Sequence, residues 1–198
     1  MRLQPGISTR PYEELLAETT DPLHRRILEL TILHFRYEGL CQIDDLMATV
    51  APNPRYVLHG GPWGYLVLEG REAVAEMYDG LTTAASIIES ETRHIALADW
   101  GISFHTLVKH QIPGRHLLEW GPQDYDHSHL GGIDDDAHYL VQIDSSALFT
   151  YDSFDGEVLL TGEIVWWHNP PGSVTLMDPA DVLSAQDARS DWMAHLSA

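Results

Sequence analysis

Apolar residues repeat with a helical period in the first part of the chain and with a strand-like alternation through most of the remainder. Ser8 or Thr9 can cap a short helix over Pro11–Glu18, where Pro11 suits a first turn that has no amide to lose. Asp21 followed by Pro22 marks a second start, because the carboxylate accepts orphan amides and proline offers none. Beyond it Leu23, Ile27, Leu30, His34 and Tyr37 share one stripe, and Leu28, Ile32 and Phe35 an adjoining one. A helix apolar over so much of its circumference must be buried. A short continuation around Ile43–Val50 ends at Ala51-Pro52-Asn53-Pro54, where two prolines stop helical pairing.

The period then changes. Arg55–His59 and Gly64–Glu69 are rich in β-formers and flank Gly60-Gly61-Pro62-Trp63, which predicts a hairpin. After Gly70, the spacing of Val74, Met77, Tyr78 and Leu81 predicts another helix. Strands are predicted near Ser90–Ala98, Gly101–Gln111, Ala137–Tyr151 and Val158–His168. Their breaks fall at Asp99-Trp100-Gly101, Ile112-Pro113-Gly114, the Gln123–Asp136 loop and Asp155-Gly156. From Asp178-Pro179 the pattern predicts one or two amphipathic helical turns. Helices first and a long antiparallel run afterwards indicate an α+β class rather than a parallel βαβ sheet. A single domain over residues 1–198 is expected.

Composition narrows the function classes. Eleven Lys and Arg against 30 Asp and Glu leave a net charge of −19 in 198 residues. Nucleic-acid affinity comes mainly from basic residues releasing counterions, so a phosphate-backbone binder is excluded. Docking on anionic lipid is excluded for the same reason. One cysteine, Cys41, rules out an intramolecular disulfide framework and a cysteine-rich zinc site. The start MRLQPGISTRPYEE has no apolar signal core and no stretch approaches a membrane span, so a soluble, cytoplasmic protein is expected. Nucleophile-elbow, P-loop and dinucleotide fingerprints are lacking. Twelve histidines in an acidic chain are the best lead to chemistry.

The order of elements and four local stretches resemble the SnoaL-like branch of the nuclear transport factor 2-like (NTF2-like) superfamily. They are His34–Asn53, Leu68–Tyr78, Glu91–Ile95 and Asp155–Val165, within a core of about residues 20–175 flanked by a helical extension and a helical tail. The resemblance implies a cone-shaped α+β barrel, a curved antiparallel sheet wrapped around N-terminal helices and a deep apolar pocket. It also implies a homodimer or higher homo-oligomer, joined in many members through the outer sheet face. It places a general-base histidine at His94, and an aspartate that would orient it falls at Gly39. Either Glu38 substitutes, or His34 faces His94 and the two share a proton, or the reaction is lost.

Expected catalytic residues are therefore His94, His34 and Tyr37, with Tyr78, His59, His105 and Trp120 touching substrate. Imidazole exchanges protons near neutral pH, and a tyrosine hydroxyl can donate to a developing enolate. Glu38 otherwise reads as a solvated helix residue. The expected reaction is cofactor-free dehydration, isomerisation or cyclisation of a small apolar, polycyclic ligand such as a polyketide, steroid or terpenoid. One alternative is a non-catalytic binding or assembly module. Another is a metal enzyme built on His127, His129 and a nearby acid of the Asp124–Asp136 loop, since two histidines flanking one residue on an extended segment point to one side.

Overall fold

The computed structural model describes residues 1–60, 64–83, 86–120 and 126–197, with the side chains of 81–83 and 120 left aside. A 3₁₀ turn at Pro5–Thr9 leads into α1 (Arg10–Glu18), followed by α2 (Pro22–Gly39) and α3 (Ile43–Ala48). The Asp21 cap forms as expected: its carboxylate accepts from the amides of Leu23 and His24 at 2.9 and 3.0 Å. Ile27, Leu28, Leu30, Thr31, Ile32 and His34 of α2 are all buried, so this helix is enclosed.

Strands β1 (Val50–His59) and β2 (Tyr65–Glu69) form the expected hairpin, whose turn at 61–63 lies outside the described residues. β1 starts five residues earlier than its composition suggests and runs straight through Pro52 and Pro54. Its pairing with a neighbour is interrupted between Val50 and Arg55, so the two prolines sit where no ladder amide is required. Helix α4 (Arg71–Thr83) then precedes β3 (Ile87–Ala98) and β4 (Gly101–Pro113). A short helix, α5 (Gly114–Trp120), stands where only a break was expected. The last elements are β5 (His138–Phe154), β6 (Glu157–His168), β7 (Val174–Leu176) and α6 (Ala185–Leu196). The tail thus forms one longer helix rather than one or two turns, closed by a capping box between Ser184 and Asp187.

Among the described residues one seven-stranded sheet carries the order β2-β1-β6-β5-β4-β3, with β7 added to β5. Every pairing is antiparallel except β1 with β6, which is parallel. The sheet is curved and unclosed, an α+β arrangement as expected. Helices α1, α2 and α4 supply Tyr12, Ile27, Leu28, Val74 and Tyr78 to a core completed by Ile102, Phe104, Phe149 and Leu160 of the sheet. The two ends of the chain meet: α6 packs on the N-terminal turn, Gly6 N–H donates to Asp191, and His195 pairs with Glu13 at 3.0 Å. Among the described residues no helix is long and apolar enough to cross a membrane.

Position 39 explains how α6 sits against α2. A Cβ there would lie 2.4 Å from the Trp192 indole, so Gly39 leaves the space that this buried ring occupies. The residue standing at the implied aspartate position is therefore a packing glycine.

His110 of β4 is 1% exposed, and burial pushes its imidazole down to about 3. The native state keeps the ring neutral while the unfolded chain takes up a proton below about 6.5. Stability contributed by the neutral ring is thus complete above that pH and is lost as pH falls toward 3, by at most about 1.4 kcal/mol per unit. Thermal melts between pH 7 and 4 should show a flatter fall in Tm for His110→Leu than for the wild type. Parallel curves would remove His110 as the cause.

Candidate functional site

A buried polar cluster interrupts the aromatic and aliphatic core where α2, α4, β1 and β6 meet. His34 projects from the enclosed face of α2 and is 1% exposed. Its Nδ1 lies 3.0 Å from Thr49 Oγ1, and Thr49 spends its hydroxyl proton on the Leu46 carbonyl at 2.7 Å. The threonine oxygen must then accept, which places a proton on His34 Nδ1.

Nε2 faces two partners. Tyr78 Oη of α4 is 2.8 Å away and Glu163 Oε1 of β6 is 3.2 Å away. Tyr78 and Glu163 are themselves 3.2 Å apart, with the phenol as donor. Three polar side-chain atoms thus form a triangle with 2.8–3.2 Å sides. The phenol has one proton: when Nε2 is unprotonated, Tyr78 donates either to it or to Glu163, and when Nε2 is protonated it donates into the cluster while Tyr78 donates to Glu163.

Glu163 gets its position from strand alternation. It shares the inward face of β6 with Val165, and its register partners are Phe149 on β5 and Tyr56 on β1. Tyr56 is 0% exposed, its ring meets that of Tyr78 edge-on at 6.2 Å, and its hydroxyl makes no well-formed hydrogen bond among the described residues. Burial, reinforced by the Glu163 charge, holds both phenols well above the ordinary tyrosine range, so each stays a neutral donor. The Tyr56 hydroxyl faces Tyr78 and Glu163 and so belongs to the buried cluster.

Glu38 lies one helical turn beyond His34 and is half-buried. Burial pushes its carboxyl up to about 7; the nearby His34 opposes this and the Glu163 charge adds to it. The carboxyl that reads as a solvated helix residue is thus drawn into the electrostatics of the cluster.

The expected site residues divide into two groups. His34 and Tyr78 meet in the cluster, and Tyr37 packs half-buried against the same core. His94, His105 and His59 do not join them. His94 is exposed and stacks on His105 at 6.2 Å, and His105 pairs with Asp144 at 2.9 Å. His59 stacks on Trp166 at 5.6 Å. Register puts all three in one row across the sheet, Tyr65-His59-Trp166-Ser146-His105-His94, away from the polar cluster. A bulge accounts for His94. Thr92 meets the Tyr12 hydroxyl of α1, but the register shifts between Thr92 and His94, so Ile95 and Leu97 take the core side and His94 turns out. The Trp120 side chain, together with Asp124 in the histidine-rich loop, lies outside the described residues. In that loop His129 Nε2 is 2.8 Å from the Val174 carbonyl and therefore carries a proton toward it.

Glu163, Thr49 and Tyr56 were not singled out from the sequence. A lone acid inside the run Val158–Trp167 was the available signal for Glu163, since a strand seldom buries a carboxylate without a partner.

No family model and no curated protein matches the chain. Many solved structures resemble it, and two illustrate the likeness. One is a protein from Jannaschia sp. CCS1 assigned as a SnoaL-like polyketide cyclase, with a TM-score of 0.53 and 15% identity over 75% of this chain and 90% of that one. The other is from Streptomyces avermitilis, assigned as a dehydratase of the NTF2-like family, with a TM-score of 0.51 and 12% identity over 76% of this chain and 99% of that one. At 15% and 12% identity the likeness is one of fold: a curved sheet packed against helices, shared with those two structures.

Proposed function

We propose that the chain is a cofactor-independent enzyme that moves a proton within a small, neutral, largely apolar molecule, by dehydration, double-bond isomerisation or cyclisation. The observation that carries this reading is the triangle of His34 Nε2, Tyr78 Oη and Glu163 Oε1 inside an apolar core. His34 Nε2 takes a proton from carbon beside a carbonyl, and the Glu163 carboxylate stabilises the imidazolium that results. The Tyr56 hydroxyl donates to the oxygen on which charge gathers. In a dehydration the carbon–carbon double bond forms as the β C–O bond breaks, and the departing oxygen takes the proton back from the His34 imidazolium to leave as water. Low-dielectric surroundings strengthen each of these contacts. Two carboxyl groups at the cluster disfavour an anionic substrate and favour a neutral ketone. His94, at the outer face, has no part in this chemistry.

A panel of neutral cyclic β-hydroxy ketones and β,γ-unsaturated ketones tests the reading, because dehydration and isomerisation both give a conjugated enone that absorbs in the ultraviolet. Turnover is expected on members of one of the two sets. A panel that stays inert at high enzyme concentration would sink the proposal. It would favour the non-catalytic reading, which the mutual satisfaction of His34, Tyr78 and Glu163 also supports. The expected homo-oligomer is proposed to use the outer sheet face, where Trp166 and Tyr65 are 46% and 64% exposed.

A further inference from the structure

A neutral imidazole has two tautomers, and its neighbours decide between them. Around His34 they disagree. The Glu163 carboxylate, 3.2 Å from Nε2, draws the ring proton to that nitrogen. Thr49, 3.0 Å from Nδ1, draws it to the other. Tyr78 does not decide, because its one proton can go to Nε2 or to Glu163. The threonine is committed because it closes helix α3: its backbone amide and its hydroxyl both donate to the Leu46 carbonyl, at 3.0 and 2.7 Å. An unprotonated Nδ1 would set two lone pairs against each other at 3.0 Å, between residues only 1% and 5% exposed. The turn that carries Thr49 is held from both sides. Its Thr49 carbonyl accepts from Leu160 N–H at 3.0 Å, three residues before Glu163 on β6. The Arg71 guanidinium at the start of α4 donates to the Met47 carbonyl at 2.6 Å and to the Val50 carbonyl, on the helix that also carries Tyr78. The strand that brings the carboxylate and the helix that brings the phenol are thus both fastened to the turn that brings the hydroxyl.

We infer that Thr49 is the positioning residue that sets the tautomer of His34, holding the proton on Nδ1 and the lone pair on Nε2 against the pull of Glu163. Orientation and charge are divided between the two ring nitrogens. A neutral hydroxyl aims the ring from one side, and the carboxylate that stabilises an imidazolium lies on the other, beside the nitrogen that reacts. Thr49 touches no substrate and acts only through His34. Its role in turnover rests on the proposed function, in which Nε2 is the base, but the tautomer itself is a property of the resting protein. Without the hydroxyl oxygen Glu163 prevails: the proton moves to Nε2, which then offers no lone pair.

Two readouts separate this role from that function. The first needs no substrate. In uniformly ¹⁵N-labelled protein at pH 8, long-range ¹H–¹⁵N correlation spectra report which ring nitrogen of His34 carries the proton. Wild type and Thr49→Ser, which keeps the acceptor, are expected to show a protonated Nδ1 and a bare Nε2. Thr49→Val, which keeps the shape and loses the oxygen, is expected to show Nε2 protonated. A protonated Nε2 in the wild type or in Thr49→Ser overturns the assignment, and so does a bare Nε2 in Thr49→Val. If Thr49→Val does not fold, Thr49→Ala decides in the same way. The second readout uses whichever ketone is turned over. Thr49→Val should lower kcat by at least about tenfold with KM little changed, and Thr49→Ser should hold kcat within about threefold of wild type. Equal kcat in Thr49→Val and wild type overturns the positioning role, as does a loss in Thr49→Ser as large as that in Thr49→Val. An inert ketone panel together with the expected spectra would sink the proposed reaction and leave the tautomer assignment standing.

Discussion

Glu163→Gln is expected to lower turnover on the ketone panel by about 10²–10⁴-fold while the protein stays folded. Glutamine keeps the size and the acceptor oxygen of glutamate but loses the charge. It also brings an amide N–H₂ to within about 3 Å of His34 Nε2, where it can donate. Neutral His34 is then pinned as an acceptor on that nitrogen, and an imidazolium formed during the reaction has no counter-charge. Both effects oppose the same step. Circular dichroism and a melt establish folding, and steady-state kinetics on the panel give the loss. Turnover within about threefold of wild type would show that the triangle is only a structural network.

Gly39→Asp should destabilise the protein by about 3 kcal/mol or more. Its Cβ would fall 2.4 Å from two atoms of the Trp192 ring, well inside van der Waals contact, and the carboxylate would enter a buried apolar seam. For a chain of this length that corresponds to a fall in Tm of about 10 °C. Limited proteolysis should cut the α6 segment faster, because Trp192 anchors it. A variant as stable as the wild type, with α6 equally protected, would refute the packing role. The substitution that supplies an aspartate at the implied place would thus loosen the helix that covers it, and it is not expected to create a dyad with the outward-facing His94.

Local chemistry was legible in the sequence where neighbours in the chain decide the outcome. The Asp21–Pro22 cap, the enclosed α2 and the face of α4 that carries Val74 and Tyr78 all follow from spacings of three or four residues. His34 was legible for the same reason, since it continues the stripe of Leu23, Ile27 and Leu30. Strand interiors and most strand starts were readable, but the start of β1 was not: it hides behind two prolines that a register break accommodates. The side to which His94 points depends on one extra residue in β3, and alternation alone gives the opposite face from the one it occupies. Glu163 and Gly39 are set by contacts far away in the chain, with Tyr56 and Trp192. No local pattern announces these pairings.

The parallel pairing of β1 with β6 bears on how the cluster comes into being. Val50 pairs with Leu160 and His59 with Trp166, so this seam joins segments more than a hundred residues apart. Closing so long a loop is entropically costly, and contacts of this kind form late in folding. His34, Thr49, Tyr56 and Tyr78 all lie within the first eighty residues, whereas Glu163 arrives only with β6. A partly folded chain with its helices and first hairpin in place therefore holds the histidine without its carboxylate. The cluster is completed by a strand pairing that spans more than a hundred residues, and kinetic traps that misplace β6 would leave a compact protein with an unfinished site.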